Sequence, residues 1–129
     1  MASGALRSLI MFFKQFTIRV RDLEKSIAFY ETIAGLSVIR RLHESSAELA
    51  FLANKAGETE IELVCLQNGQ TFEGKGFFIC FITDRLDEIR QLALSQGFNP
   101  SDIYKPDEKT RYFYVYDPDG VSVQLKQMQ

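Results

Sequence analysis

The chain has 129 residues, of which 46% are hydrophobic and 25% charged. That is the makeup of one globular domain able to bury a core without a metal or disulfide staple. Fifteen basic residues against seventeen acidic ones leave a net charge of −2. This argues against the concentrated basic face that nucleic acids and anionic membrane surfaces require, and no segment is long enough to span a bilayer.

Residues 1–12 read as a leader. Its apolar run Leu9-Ile10-Met11-Phe12-Phe13 is too short for a signal h-region and has no basic cluster before it, so a cytoplasmic location is expected. Residues 13–129 read as a single domain. Cys65 and Cys80 lie inside apolar runs and read as reduced, buried thiols.

The pattern repeats across two modules, about 13–66 and 77–127. Asp22 caps an amphipathic helix with Leu23, Ile27, Tyr30 and Ala34 on one stripe, and Gly35 closes it. Asp84, Ile89, Leu92, Gln96 and Gly97 repeat that order; Asp22 to Asp84 and Gly35 to Gly97 are each 62 residues apart. The same offset pairs Phe51 with Phe113 and Ile61-Glu62-Leu63 with Val123-Gln124-Leu125. Each module therefore reads as strand, helix and three strands. The first has strands at 13–20, 36–42, 46–52 and 59–66 around a helix at 22–34. The second has strands at 77–83, 98–105, 110–116 and 121–127 around a helix at 84–96. The predicted class is α+β, two tandem βαβββ modules forming curved mixed sheets around a cleft.

Strand alternation divides the side chains between two faces. Phe16, Ile18, Val20, Ile61, Leu63, Cys65, Phe113, Val115, Val121, Val123 and Leu125 go under the helices. Gln15, Thr17, Arg19, Glu62, Phe77, Ile79, Phe81, Tyr112, Tyr114 and Gln124 go to the other face. Aromatic rings with a few polar groups are what small-molecule pockets present, and the apolar Phe77, Ile79 and Phe81 call for a cover. The lone His43 falls in a turn and reads as a surface residue.

Phe16-Thr17-Ile18-Arg19-Val20-Arg21-Asp22-Leu23 with Ser26-Ile27-Ala28-Phe29-Tyr30, and Tyr116-Asp117-Pro118-Asp119-Gly120 with Val123-Gln124-Leu125, resemble the opening and closing signatures of the vicinal oxygen chelate superfamily. This family contains glyoxalase I, bleomycin-resistance proteins, fosfomycin-resistance enzymes and extradiol dioxygenases. The resemblance runs from about Phe13 to Lys126 and implies the glyoxalase/bleomycin resistance-type fold. In its metal-dependent members four side chains hold a divalent ion, and their counterparts here are Gln15, Glu62, Phe77 and Gln124. Phe77 has no donor atom, and one carboxylate with two amides is a poor set for Zn²⁺ or Ni²⁺. No metal and no cofactor is expected.

Three functions follow from this reading. One is a metal-free binding protein holding an aromatic or cationic molecule, with Glu62 as counter-charge and Phe77, Phe81, Tyr112 and Tyr114 as walls. Another is an isomerase or lyase with Glu62 as general base and Arg19 clamping an anionic substrate. The third is a ligand-free structural dimer. Glu62 also has a plain role, bonding Gln15 and Gln124 where the ion is missing, and Arg19 has one in pairing with Glu60 or Glu62. The resemblance implies a homodimer.

Overall fold

The computed structural model describes residues 11–129, so the leader expected over 1–12 lies outside the described residues except for Met11 and Phe12. The chain forms β1 (Gln15–Arg19), α1 (Leu23–Thr32), β2 (Ser37–Glu44), β3 (Ala47–Ala53), β4 (Glu60–Leu66), β5 (Ile79–Ile82), α2 (Leu86–Ser95), β6 (Tyr104–Asp107), β7 (Thr110–Tyr116) and β8 (Ser122–Met128). These make two four-stranded sheets, ordered β1-β4-β3-β2 and β5-β8-β7-β6. In each, the first strand runs parallel to the last and the remaining pairs are antiparallel. The fold is α+β with two βαβββ modules, as expected. No described helix is long and apolar enough to cross a membrane.

Local chemistry accounts for the helix ends. The Asp22 carboxylate accepts from the N–H of Lys25 at 3.1 Å, a side-chain cap for α1. Gly35 and Gly97, at φ +71° and +82°, supply the left-handed turn that ends each helix. The second helix departs from the expectation. Its N-cap is Arg85, not Asp84, and no side chain caps it; Thr83 Oγ1 accepts from the Arg85 N–H instead. Strand β6 is also shorter than the predicted 98–105. Pro100 has no N–H to donate, and Ser101 carries the pairing irregularly, its N–H donating to Tyr114 O and its Oγ accepting from Tyr114 N–H.

One apolar cluster runs through both modules, from Ile18, Leu23, Phe29, Leu52 and Leu63 to Leu86, Phe113, Val123 and Leu125. The junction is polar at one point. The buried Tyr30 hydroxyl donates to Asp117 Oδ2 at 2.7 Å. Asp117 Oδ1 accepts from the N–H groups of Asp119 and Val121, and Asp119 accepts from the N–H of Arg21 and the hydroxyl of Ser26. The turn of module two is thereby tied to the helix of module one.

Register corrects the repeat by one residue in places. Thr17 pairs with Glu62 and Phe51 with Glu62, whereas Cys80 and Tyr114 pair with Gln124. Phe51 thus corresponds to Tyr114, not Phe113, and Gln15 corresponds to Phe78, not Phe77. The connection between β3 and β4, residues 54–59, is one residue longer than that between β7 and β8, residues 117–121, and this shifts the phase.

Tyr30→Phe leaves buried Asp117 Oδ2 without its donor and is expected to cost about 1–3 kcal/mol, read as a lower urea midpoint at unchanged slope. Burial pushes the Asp117 carboxyl above its ordinary value of 3.8, against hydrogen bonds from Tyr30, Val121 and Asp119 that lower it. The folded state therefore holds this proton more tightly than the unfolded one. Its contribution to stability is full below pH 3.8 and is lost as pH rises through the raised value. Asp117→Asn is expected to remove that limb, so the stability gap between variant and wild type changes as pH rises above 3.8; a gap that stays flat as pH rises from there contradicts the assignment.

Candidate functional site

The face turned away from the helices carries the polar groups. On module one the row Thr17, Glu62, Phe51 and Arg40 crosses all four strands in register. A bulge between Val38 and Arg40 brings Arg40 into that row. Glu62 is 9% exposed. Its Oε1 accepts from Gln15 Nε2 at 2.7 Å and from Thr17 Oγ1 at 2.6 Å. Its Oε2 has no protein donor among the described residues. No fully buried side-chain polar atom lacks a partner there, so this oxygen keeps contact with solvent.

A second acidic group lies one step along β4. Glu60 is 3% exposed and accepts from Arg40 Nη1 at 2.8 Å and Nη2 at 3.2 Å, with Lys14 Nζ at 3.6 Å. The Arg40 guanidinium lies 3.9 Å from the Phe51 ring centroid. Hydrogen bonding from Arg40, with its charge and that of Lys14, holds the Glu60 carboxyl below its ordinary value of 4.5 although desolvation opposes this. Arg40 therefore takes the pairing role that sequence gave to Arg19. The Arg19 side chain makes no ion pair among the described residues, and its carbonyl accepts from the N–H of Phe72 in the inter-module linker.

On module two Phe78, just before β5, and Cys80 and Ile82 within it turn outward. Ile79 and Phe81, predicted for this face, pack instead against the core under the helices. Phe77 lies before the strand, its ring edge-on to Phe16 and Phe72 at the module junction. The one-residue shift in phase accounts for all three. Phe78 stands edge-on to Tyr114 at 5.3 Å, Tyr114 contacts Tyr112 and Tyr104, and Gln124 Nε2 donates to the Tyr114 hydroxyl at 3.2 Å. Tyr112, Tyr114 and Gln124 thus share the predicted face. Cys80 is exposed, contrary to expectation, and Cys65 is half-buried; both are free thiols. His43 is exposed, as expected, but on β2 beside Glu48.

Gln15 and Glu62 come together as predicted, and so do Gln124 and Tyr114. No hydrogen bond joins the first pair to the second among the described residues. Nor does Glu62 lie in a closed cavity. A 440 Å³ cavity opens under the linker between Phe72, Lys75, Phe78, Tyr116 and Ser122. A larger one of 730 Å³ lies elsewhere, between the helices around Ile33, Phe81, Ile89 and Leu92.

The four positions that hold an ion in metal-dependent members are Gln15, Glu62, Phe78 and Gln124 by register. Gln15 turns its amide nitrogen toward Glu62, two donors occupy Glu62 Oε1, and a phenyl ring has no lone pair to offer. This set does not fit a divalent ion. Among the described residues no three His, Cys, Asp or Glu side chains gather where an ion could sit.

Sequence reasoning missed Arg40, Phe51 and Phe78 as face residues. The bulge and the turn-length difference that place them are set by pairing, and Glu60 and Glu62 on alternate β4 positions were the available signal.

A family model for the Glyoxalase/Bleomycin resistance protein/Dioxygenase superfamily matches residues 13–125. The uncharacterized protein YwbC of Bacillus subtilis (strain 168) is 34% identical over 116 residues, covering 85% of this chain and 92% of its own. Among solved structures, TnmS3, an antibiotic binding protein from Streptomyces sp. CB03234, is 22% identical at a TM-score of 0.72, covering 93% of this chain and 98% of that one. The fosfomycin resistance protein FosX of Listeria monocytogenes is 23% identical at 0.73, covering 93% and 95%. At these identities the solved structures show a shared fold.

Glu60 supplies a test of the site's wiring. Arg40→Met leaves a buried carboxylate with only Lys14 near it and is expected to cost about 1–3 kcal/mol. Arg40→Met combined with Glu60→Met replaces the pair by apolar volume and is expected to stay within about 1 kcal/mol of wild type. Urea denaturation of both checks this; a double variant as unstable as the single one contradicts it.

Proposed function

Because the chain belongs to the glyoxalase/bleomycin resistance protein/dioxygenase superfamily, we propose that it is a metal-independent binding protein for a small organic molecule carrying a cation. The observation behind this is Glu62. Gln15 and Thr17 hold one carboxylate oxygen and leave the other free to accept from a ligand. A held carboxylate with one open oxygen is a counter-charge ready before the ligand arrives, so little ordering opposes binding.

The aromatic surface supports the same reading. Phe78 is 49% exposed and Ile82 64%, and with Tyr104, Tyr112 and Tyr114 they make an apolar, π-rich face of the kind that stacks on planar or cationic groups. The likeness to an antibiotic binding protein agrees with this use of the fold. No hydrogen bond joins the polar groups of the two modules' faces among the described residues, and the exposed edge of β5 calls for a cover. A homodimer in which a second copy covers it completes the cleft; a monomer in sedimentation velocity at micromolar concentration overturns that part.

Thermal shift tests the ligand class with aromatic cations and, in parallel, small aromatic carboxylates. An aromatic cation at ten times its Kd is expected to stabilise the protein by about 1.4 kcal/mol, a rise in Tm of roughly 5 °C. The rise should vanish in Glu62→Gln and survive in Arg19→Ala. The reverse pattern, with carboxylates raising Tm and Arg19→Ala abolishing the effect, assigns an anionic ligand and overturns the proposal.

A further inference from the structure

We infer that the ligand of this face is a zwitterion, its ammonium group on Glu62 and its carboxylate on Arg40; the inference rests on the reading of Glu62 as a cation site. Three observations carry it.

The first is the balance of charge. Among the described residues Glu60 is the only carboxylate paired with Arg40, and Lys14 also leans on it. Two cations sharing one buried carboxylate leave this cluster with one net positive charge. Glu62 is a separate carboxylate whose own partners, Gln15 and Thr17, are neutral. The row therefore presents one centre of each sign.

The second is the donor inventory. A guanidinium has five N–H groups. Glu60 takes one from each of Nη1 and Nη2, and the rest have no protein acceptor among the described residues. Arg40 is 42% exposed, so these groups are within reach of a ligand. The bidentate pair and the Phe51 ring fix the guanidinium plane, and a fixed fork is what carboxylate recognition requires.

The third is spacing. Arg40 starts two strands from Glu62, but its guanidinium leans over Phe51 on the intervening strand. It is hydrogen-bonded to Glu60, two residues from Glu62 along β4, so the two charged ends are roughly 7 Å apart, room for one short molecule bonded at both ends. That matches a short amino acid and is too close for a long spacer between amine and acid. The Phe51 ring lies beneath the guanidinium.

The test is isothermal titration calorimetry with three matched pairs: phenethylamine and phenylalanine, tyramine and tyrosine, tryptamine and tryptophan. In the wild-type protein each amino acid is expected to bind at least about tenfold more tightly than its amine, the increment of a charge-assisted hydrogen-bonded pair. In the Arg40→Met, Glu60→Met double variant that preference should fall to about unity while amine affinity stays unchanged. The preference persisting in a folded double variant, or no preference in wild type while the amines still bind, overturns this inference and leaves the cation site standing. Failure of all six compounds to bind overturns both.

Discussion

Asp117 accepts three hydrogen bonds, from the Tyr30 hydroxyl and from the N–H groups of Asp119 and Val121. A carboxylate this deep is costly unless its oxygens are satisfied, and these donors come from both modules. Tyr30 belongs to α1, while Asp119 and Val121 belong to the turn entering β8. Satisfying one buried group therefore docks module one's helix on module two's turn and keeps the apolar cluster continuous between the sheets. With that junction set, each sheet's outer face is left for other work.

The outer face of module one shows how a polar strip can be stable with little exposure. Glu60 and Glu62 follow the same side of β4, yet their partners differ in kind. Glu60 has charged partners and a depressed pKa, which suits a structural ion pair. Glu62 has neutral donors on one oxygen only, which leaves a charge unspent. The contrast comes from neighbours on β1 and β2, because β4 lies next to β1 on one side and β3 on the other. The same fold in other hands supports metal chemistry; here a phenyl ring and two amides stand at the corresponding positions, and they do not fit a divalent ion.

Much of this was legible in the residues. Asp22 and Gly35 bound a helix, Asp117-Pro118-Asp119-Gly120 marks a turn, and alternation on β1, β4 and β8 assigned Thr17, Glu62 and Gln124 to one face. The errors share a cause. A strand's side-chain period is two, so a slip of one residue exchanges its faces, and the run leading into and through β5 is apolar at every position from Phe77 to Ile82. Nothing in that run marks which three turn outward: alternation from the 62-residue offset predicts Phe77, Ile79 and Phe81, and the structure turns out Phe78, Cys80 and Ile82. Likewise Arg40-Arg41 are adjacent cations, and only a bulge decides which of them reaches Phe51 and Glu60.

Local periodicity, capping and turn chemistry are enough to set the class of fold, the two-module plan and the carboxylate at the centre of the candidate site. Tertiary structure alone decided the phase of β5, the Arg40–Glu60 pair and the Tyr30–Asp117 bond. Each of these joins residues that are distant in the chain, and their contact depends on hydrogen-bond register and on where two cores meet, which local pattern does not encode.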